Sequence, residues 1–158
     1  MIKFVFVDLD NTILDFNKSE NTALKLALSQ MGIRADDSVA LAYSQINDSL
    51  WKMLEKGKIT RSELCVRRFA MLFARINSNA DPVDANRRYT ETLAQQVFFI
   101  DGAEELLENL SQKYRLFIAS NGNAPVQHGR IDRSGIAKYF ENIFISQEVG
   151  ANKPSREF

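Results

Sequence analysis

The sequence predicts an α/β protein whose parallel-sheet core is interrupted, after its first strand, by a run of helices. Three observations carry that prediction. Residues 2–7 are nearly all apolar and rich in β-branched and aromatic side chains, the composition of a central strand buried on both faces. From about residue 19 to residue 97 the apolar positions recur with helical period. Beyond residue 97 short apolar runs alternate with helical stretches, as in a sheet assembled from strand–helix units. The core is therefore expected over residues 1–16 and 98–158, and the helical insert over residues 17–97.

Each element has its own signals. The first strand stops at a sudden polar cluster, Asp8-Leu9-Asp10-Asn11-Thr12. In the insert, Leu24, Leu28 and Met31 share a face and Gly32 is a helix stop. Ser38 is expected to cap a second helix carrying Val39, Ile46, Leu50 and Met53, which ends at Gly57. Thr60-Arg61-Ser62-Glu63 has the form of a capping box and opens a third helix with Phe69, Leu72 and Ile76 inward. Asp81-Pro82 pairs a cap with a proline at the first helical position, ahead of a stripe of Ala85, Tyr89 and Leu93. In the core, Asp101-Gly102-Ala103-Glu104 opens a helix bearing Leu106, Leu107 and Leu110. Leu116-Phe117-Ile118-Ala119 is a short buried strand running into Ser120-Asn121-Gly122-Asn123. A helix with Val126 and Ile131 ends near Gly135, and Asn142-Ile143-Phe144-Ile145-Ser146 is a third strand. Pro154 is expected to hold Lys153 extended and to open a helix.

Composition narrows the function classes. Twenty Lys and Arg balance twenty Asp and Glu, so no net field draws the chain to a nucleic-acid polymer or an anionic membrane. A single cysteine, Cys65, excludes an internal disulfide and a cysteine zinc cluster, and fits a reducing compartment. The first apolar run is cut by Asp8, too short for a signal-peptide core or a membrane span. A cytoplasmic location is expected.

In a parallel sheet the carboxyl ends of the strands form the ligand crevice. Asp8/Asp10/Thr12, Ser120/Asn121/Gly122 and Lys153 fall at such ends or just beyond them. Asp8 and Asp10 are two apart, so in extended chain their side chains leave one face. Paired carboxylates there can bind a hard cation such as Mg²⁺. One can attack phosphorus while the other handles protons. Taken singly, Ser120-Asn121-Gly122 reads as a turn and Lys153 as a surface lysine, whereas Asp8-Leu9-Asp10-Asn11-Thr12 favours chemistry over an ordinary polar turn even alone; their succession behind apolar strands strengthens all three. Phe16, just past the first cluster, and Trp51, on an insert helix, are aromatic candidates for touching substrate, although packing between helices is the simpler reading of Trp51. His128, Arg67-Arg68 and Arg87-Arg88 read as solvated surface.

These residues carry a resemblance. Asp8-Leu9-Asp10-Asn11-Thr12 resembles the nucleophile motif of the haloacid dehalogenase (HAD) superfamily, Ser120-Asn121-Gly122 its second motif, and Lys153-Pro154 its third. The helical insert resembles that superfamily's four-helix cap. Asp10-Asn11-Thr12-Ile13-Leu14-Asp15-Phe16 and Ile145-Ser146-Gln147-Glu148-Val149-Gly150 resemble, more narrowly, the pyrimidine 5′-nucleotidase branch. The resemblance implies a Rossmann-type core and a Mg²⁺-dependent phosphatase for a small phosphomonoester, nucleoside 5′-monophosphates first. By the same resemblance Asp8 is the nucleophile and a Mg²⁺ ligand. Asp10 protonates the leaving group, then activates water, with its backbone carbonyl on the metal. Thr12, Ser120, Asn121 and Lys153 surround the phosphoryl group, Thr12 supporting the loop through its hydroxyl.

The superfamily's fourth motif, acidic residues after a fourth strand, would fall beyond Phe158. The chain is accordingly expected to be a C-terminally truncated piece of the fold that folds incompletely and shows little phosphatase activity. Alternatives are a phosphosugar phosphatase or mutase of the same superfamily, or an inactive remnant. Asp10 argues against a dehalogenase, which needs no acid/base carboxylate at that position. A response-regulator receiver would need its acceptor aspartate after a later strand, where this sequence reads as helix.

Overall fold

In the computed structural model, which describes residues 2–158, the elements run β1 (Phe4–Val7), α1 (Phe16–Ser29), α2 (Asp37–Glu55), α3 (Arg61–Arg75), α4 (Pro82–Leu93), α5 (Ala103–Ser111), β2 (Arg115–Ser120), α6 (Ala124–Ser134), a 3-10 turn (Ile136–Tyr139), β3 (Asn142–Ile145) and α7 (Ser146–Val149). They divide into two compact units. One holds the chain up to Ser19 together with Ala94–Phe158; the other is Glu20–Leu93. No helix of the described residues is long and apolar enough to cross a membrane.

The first unit is built on a parallel sheet in the order β1-β2-β3. β2 and β3 end opposite one another, Ser120 pairing with Ile145, while β1 ends two residues earlier, Val7 pairing with Ile118. Val7, Leu116 and Ile118 face a core shared with Leu9, Ile13, Leu14, Leu107, Ile131 and Ile136. The other face of the sheet is aromatic: the Phe6 ring stacks on Phe117 at 5.2 Å, and Phe144 lies 6.1 Å from Phe6. Phe4 and Phe6 are exposed, so β1 is buried on one face only, contrary to the sequence expectation. Its apolar composition misled because phenylalanine suits a strand whether its ring is covered by a second layer or by neighbouring rings.

Helix boundaries follow the caps. α1 starts at Phe16, earlier than expected, because the Asp15 carboxylate accepts from Lys18 N and the Asn11 side chain accepts from Phe16 N. Asp36, not Ser38, caps α2, taking Ser38 N and Val39 N on one oxygen. The capping box at Thr60 and Glu63 forms in full. Asp81 caps α4 ahead of Pro82. α5 has no side-chain cap; Gly102 enters it at φ +77°, a conformation that a side chain would strain. Leu106 on that helix faces solvent while Leu107 is buried. After Lys153, whose peptide to Pro154 is cis, the chain runs in turns instead of the expected helix.

The helical unit packs Tyr43, Phe69 and Tyr89 into one cluster, with ring centroids 5.2–5.7 Å apart. Arg68, expected on a solvated face, is buried beside them. It follows Leu64 by four and precedes Leu72 by four, so helical phase carries it inward. All three of its guanidinium nitrogens are engaged, by Asn47 and Asn86, and the group lies 4.8 Å from the Tyr89 centroid. Asn47 also donates to the buried Glu20 carboxylate at 2.8 Å. Arg87 and Arg88 do lie toward solvent, tied to Asp84 and Glu91 along their own helix.

Burial pushes the Glu20 carboxyl above its usual range, outweighing its hydrogen bonds to Ser44 and Asn47 and the charge of Arg68. A carboxyl raised in the folded state contributes stability fully below its unfolded value, about 4.3, and loses it as pH rises through the folded value. Urea unfolding of the wild type and of Glu20→Gln should therefore show the wild type losing ground to the variant as pH rises from about 4 towards neutral. A difference independent of pH would mean that Glu20 titrates as it does in water.

Candidate active site

The site begins where β1 ends. Leu9 is fully buried and anchors the loop in the core; Asp8 and Asp10, on either side of it, point the other way. Strand-like alternation thus sets two carboxylates on one side of the chain. The loop then closes on its own backbone: Ile13 N and Leu14 N both donate to Leu9 O at 3.0 Å, and Asn11 N to Leu14 O at 2.7 Å. Asn11 takes φ +56°, which asparagine tolerates better than most side chains. Thr12 is exposed, and among the described residues its hydroxyl makes no hydrogen bond, so backbone bonds hold the loop and not the threonine side chain as expected.

Lys153 reaches this loop from far along the chain. Its ammonium donates to Asp8 Oδ1 at 2.7 Å and to Ala119 O at 2.6 Å. Asn121 sets its place: Asn121 Oδ1 accepts from Lys153 N at 2.8 Å, and Asn121 Nδ2 donates to Lys153 O at 3.0 Å. Where the sequence suggested phosphate contact, the Asn121 side chain braces the lysine backbone. Ser120, the last residue of β2, is buried, and its hydroxyl accepts from Gln127 Nε2 at 2.8 Å.

Two residues at this site escaped the sequence reading. Gln127 Nε2 also donates to Asp10 Oδ2 at 2.7 Å, and Arg130 Nη1 donates to Asp10 Oδ1. Both sit on α6, three residues apart and hence on one face. The available signal was a pair of long polar side chains between Val126 and Ile131, on the face that packs inward. Phe16 is half-buried with the Arg130 guanidinium 5.7 Å from its ring centroid. Trp51 belongs to the helical unit, where Arg61 lies over its ring at 5.2 Å. His128 pairs with Glu148 at 2.9 Å at the surface.

Among the described residues no cluster of three or more His, Cys, Asp or Glu side chains is able to hold a metal. The donors present are nevertheless of the right kind for Mg²⁺. The Asp8 carboxylate and the Asp10 backbone carbonyl are hard oxygen donors, and Mg²⁺ is commonly held by one or two carboxylates, with waters and substrate phosphate completing the shell.

The chain belongs to the haloacid dehalogenase-like hydrolases, whose family model matches residues 5–158. It is 38% identical over 157 residues to the pyrimidine 5′-nucleotidase PynA of Streptococcus pneumoniae, covering 99% of this chain and 66% of that protein. It is 36% identical over 151 residues to YfnB of Bacillus subtilis, a protein named as a HAD-hydrolase, covering 96% of this chain and 64% of YfnB. The crystal structure of YfnB bound to magnesium superposes with a TM-score of 0.93 at 35% identity, over 99% of this chain and 70% of that one. The chain therefore spans about two thirds of the length of these relatives.

Because Asn121 makes both bonds that fix the part-buried Lys153 backbone, Asn121→Ala should lower stability by about 1–2 kcal/mol, the net worth of two ordinary hydrogen bonds. Chemical unfolding measures this. A loss below about 0.5 kcal/mol, typical of an uninvolved surface site, would show that Lys153 is held by other means.

Proposed function

We propose that this chain carries the centre of a Mg²⁺-dependent phosphomonoester hydrolase that acts on nucleoside 5′-monophosphates through an aspartyl-phosphate on Asp8. The observation that carries the reading is the Lys153 ammonium 2.7 Å from the Asp8 carboxylate, with Asp10 and Ser120 joined through Gln127 beside it. The 38% identity to a pyrimidine 5′-nucleotidase supports nucleotides as the substrate class. The balanced charge of the chain favours a small phosphomonoester over a polymer, and its lone cysteine suits the cytosol.

In this mechanism an Asp8 carboxylate oxygen attacks phosphorus. The bond from phosphorus to the ester oxygen breaks, and Asp10 delivers its proton to the departing alkoxide. Asp10, now ionised, takes a proton from water as that water attacks the phosphorus of the acyl phosphate. Inorganic phosphate leaves and Asp8 is regenerated. The Lys153 ammonium and the Ser120 hydroxyl bind phosphoryl oxygens, offsetting the repulsion between the phosphate dianion and the Asp8 carboxylate. Asp8 and the backbone carbonyl of Asp10 would hold Mg²⁺, which when bound supplies several kcal/mol of charge stabilisation to the transferring group.

In a version of the protein extended to the full length of its relatives, Asp8→Asn keeps the shape of the side chain but removes the nucleophile, so release of phosphate from a nucleoside 5′-monophosphate should fall to background. Asp10→Asn should lower kcat by about 10²–10⁴-fold with KM little changed, because its task is proton transfer. Removing divalent cations with a chelator should abolish turnover, and Mg²⁺ should restore it. Turnover by Asp8→Asn close to that of the wild type would exclude covalent catalysis by Asp8.

A further inference from the structure

Arg130 is the largest side chain buried without exposure, and its position is costly. Only Nη1 is used, on Asp10 Oδ1 and, at 3.2 Å, on Gln127 Oε1. Nε and Nη2 are buried with no hydrogen-bond partner among the described residues. A buried cation with orphaned donors is a poor source of stability, and an apolar side chain of similar volume commonly does better. Gln127, also buried, spends Nε2 on both Asp10 Oδ2 and Ser120 Oγ. Each Asp10 oxygen thus has one protein donor and keeps a further lone pair for substrate or water.

Gly122 supplies an independent observation. It does not adopt a positive φ, so backbone conformation does not require glycine there. A Cβ at Gly122 would instead stand 2.6 Å from Gln127 Cγ and 2.7 Å from Gln127 Nε2. The absence of a side chain at position 122 is what lets the Gln127 amide lie between Ser120 and Asp10.

We propose that Gln127 and Arg130 are positioning residues that clamp the Asp10 carboxylate, one on each oxygen, and that Gly122 leaves the space in which the clamp closes. The proposal rests on the role given to Asp10 above. Proton transfer depends on the carboxylate being held to within a fraction of an ångström of its working place. A carboxylate about a quarter exposed, on a loop, would otherwise sample several rotamers. The link from Gln127 to Ser120 also fixes the proton carrier relative to a phosphate-binding hydroxyl.

The test has a structural arm and a kinetic arm, both on the full chain. Crystal structures of Arg130→Met and Gly122→Ala should show the Asp10 carboxylate turned out of its place. Arg130→Met fills the same volume without charge, and Gly122→Ala displaces Gln127 without touching Arg130, so misfolding of one leaves the other. In the kinetic arm each variant is compared on an alkyl phosphomonoester and on p-nitrophenyl phosphate. The alkoxide needs a proton to leave and nitrophenolate does not. Hydrolysis of the aspartyl-phosphate is common to both esters, so the comparison is made on kcat/KM, which reports the steps up to cleavage of the ester bond; we expect it to fall by about 10²-fold on the alkyl ester and far less on p-nitrophenyl phosphate. Arg130→Lys should recover part of the loss. An Asp10 carboxylate unmoved in both variants, or equal losses of kcat/KM on the two esters, would overturn the clamp. A wild type extended to the full length of its relatives that hydrolyses neither ester would instead defeat the phosphatase reading, and the crystal structures would still decide whether the clamp exists.

Discussion

Leu9 is fully buried between two carboxylates that are not, and this contrast orders the candidate site. An apolar side chain of this size gains roughly 1.5–3 kcal/mol on burial, whereas an ionised carboxylate loses several kcal/mol if desolvated without a partner. The chain can satisfy both demands only by turning Leu9 into the core and leaving Asp8 and Asp10 on the far side. Ile13 and Leu14, both fully buried, repeat the anchor a turn later, and backbone bonds to Leu9 O tie them to it. The loop therefore owes its shape to packing, and its carboxylates are carried by a segment that the core already fixes.

Lys153 has to be delivered to that loop across 145 residues. The pair it makes with Asp8 is partly solvated on both sides, with side chains 32% and 44% exposed, so it is worth little as a fastening. Other interactions place the lysine. β2 stands between β1 and β3 in a parallel sheet, so all three strands run out at the same end of it. Asn121, directly after β2, then grips the lysine backbone from both its N–H and its C=O. Neutral hydrogen bonds thus hold the charge where a phosphate could use it, and the ion pair results from that placement instead of causing it.

How much of this was legible in the sequence depends on whether the signal was local. The capping box at Thr60, the cap-and-proline start at Asp81 and the stripe of Ala85, Tyr89 and Leu93 all depend on neighbours a few residues away, and the structure shows each of them. The gathering of Asp8, Asp10, Ser120 and Lys153 was also readable, because each follows an apolar run and parallel strands run out at the same end of a sheet. The second face of β1 was not readable, since nothing in Phe4 and Phe6 says whether a second layer covers them. Gln127 was missed for a related reason. A polar residue on an amphipathic helix is expected outward, and only the partners 117 and 7 residues away reveal why it turns in.

The two buried arginines show where that rule of thumb fails in opposite ways. Arg68 is satisfied on all three nitrogens by two asparagines and lies over a tyrosine ring. Its charge is compensated locally, by partners that share its helical unit, and a packing role accounts for every contact it makes. Arg130 lies 5.7 Å from the Phe16 ring centroid but bonds through one nitrogen only, and that nitrogen goes to Asp10 and Gln127. Stability alone accounts for the first arrangement. It does not account for the second, because the orphaned donors carry a desolvation cost that no structural partner offsets. When two buried charges of the same kind differ in this way, the unsatisfied one is where a demand other than folding has shaped the protein. At Arg130 that demand is the fixed position of the Asp10 carboxylate.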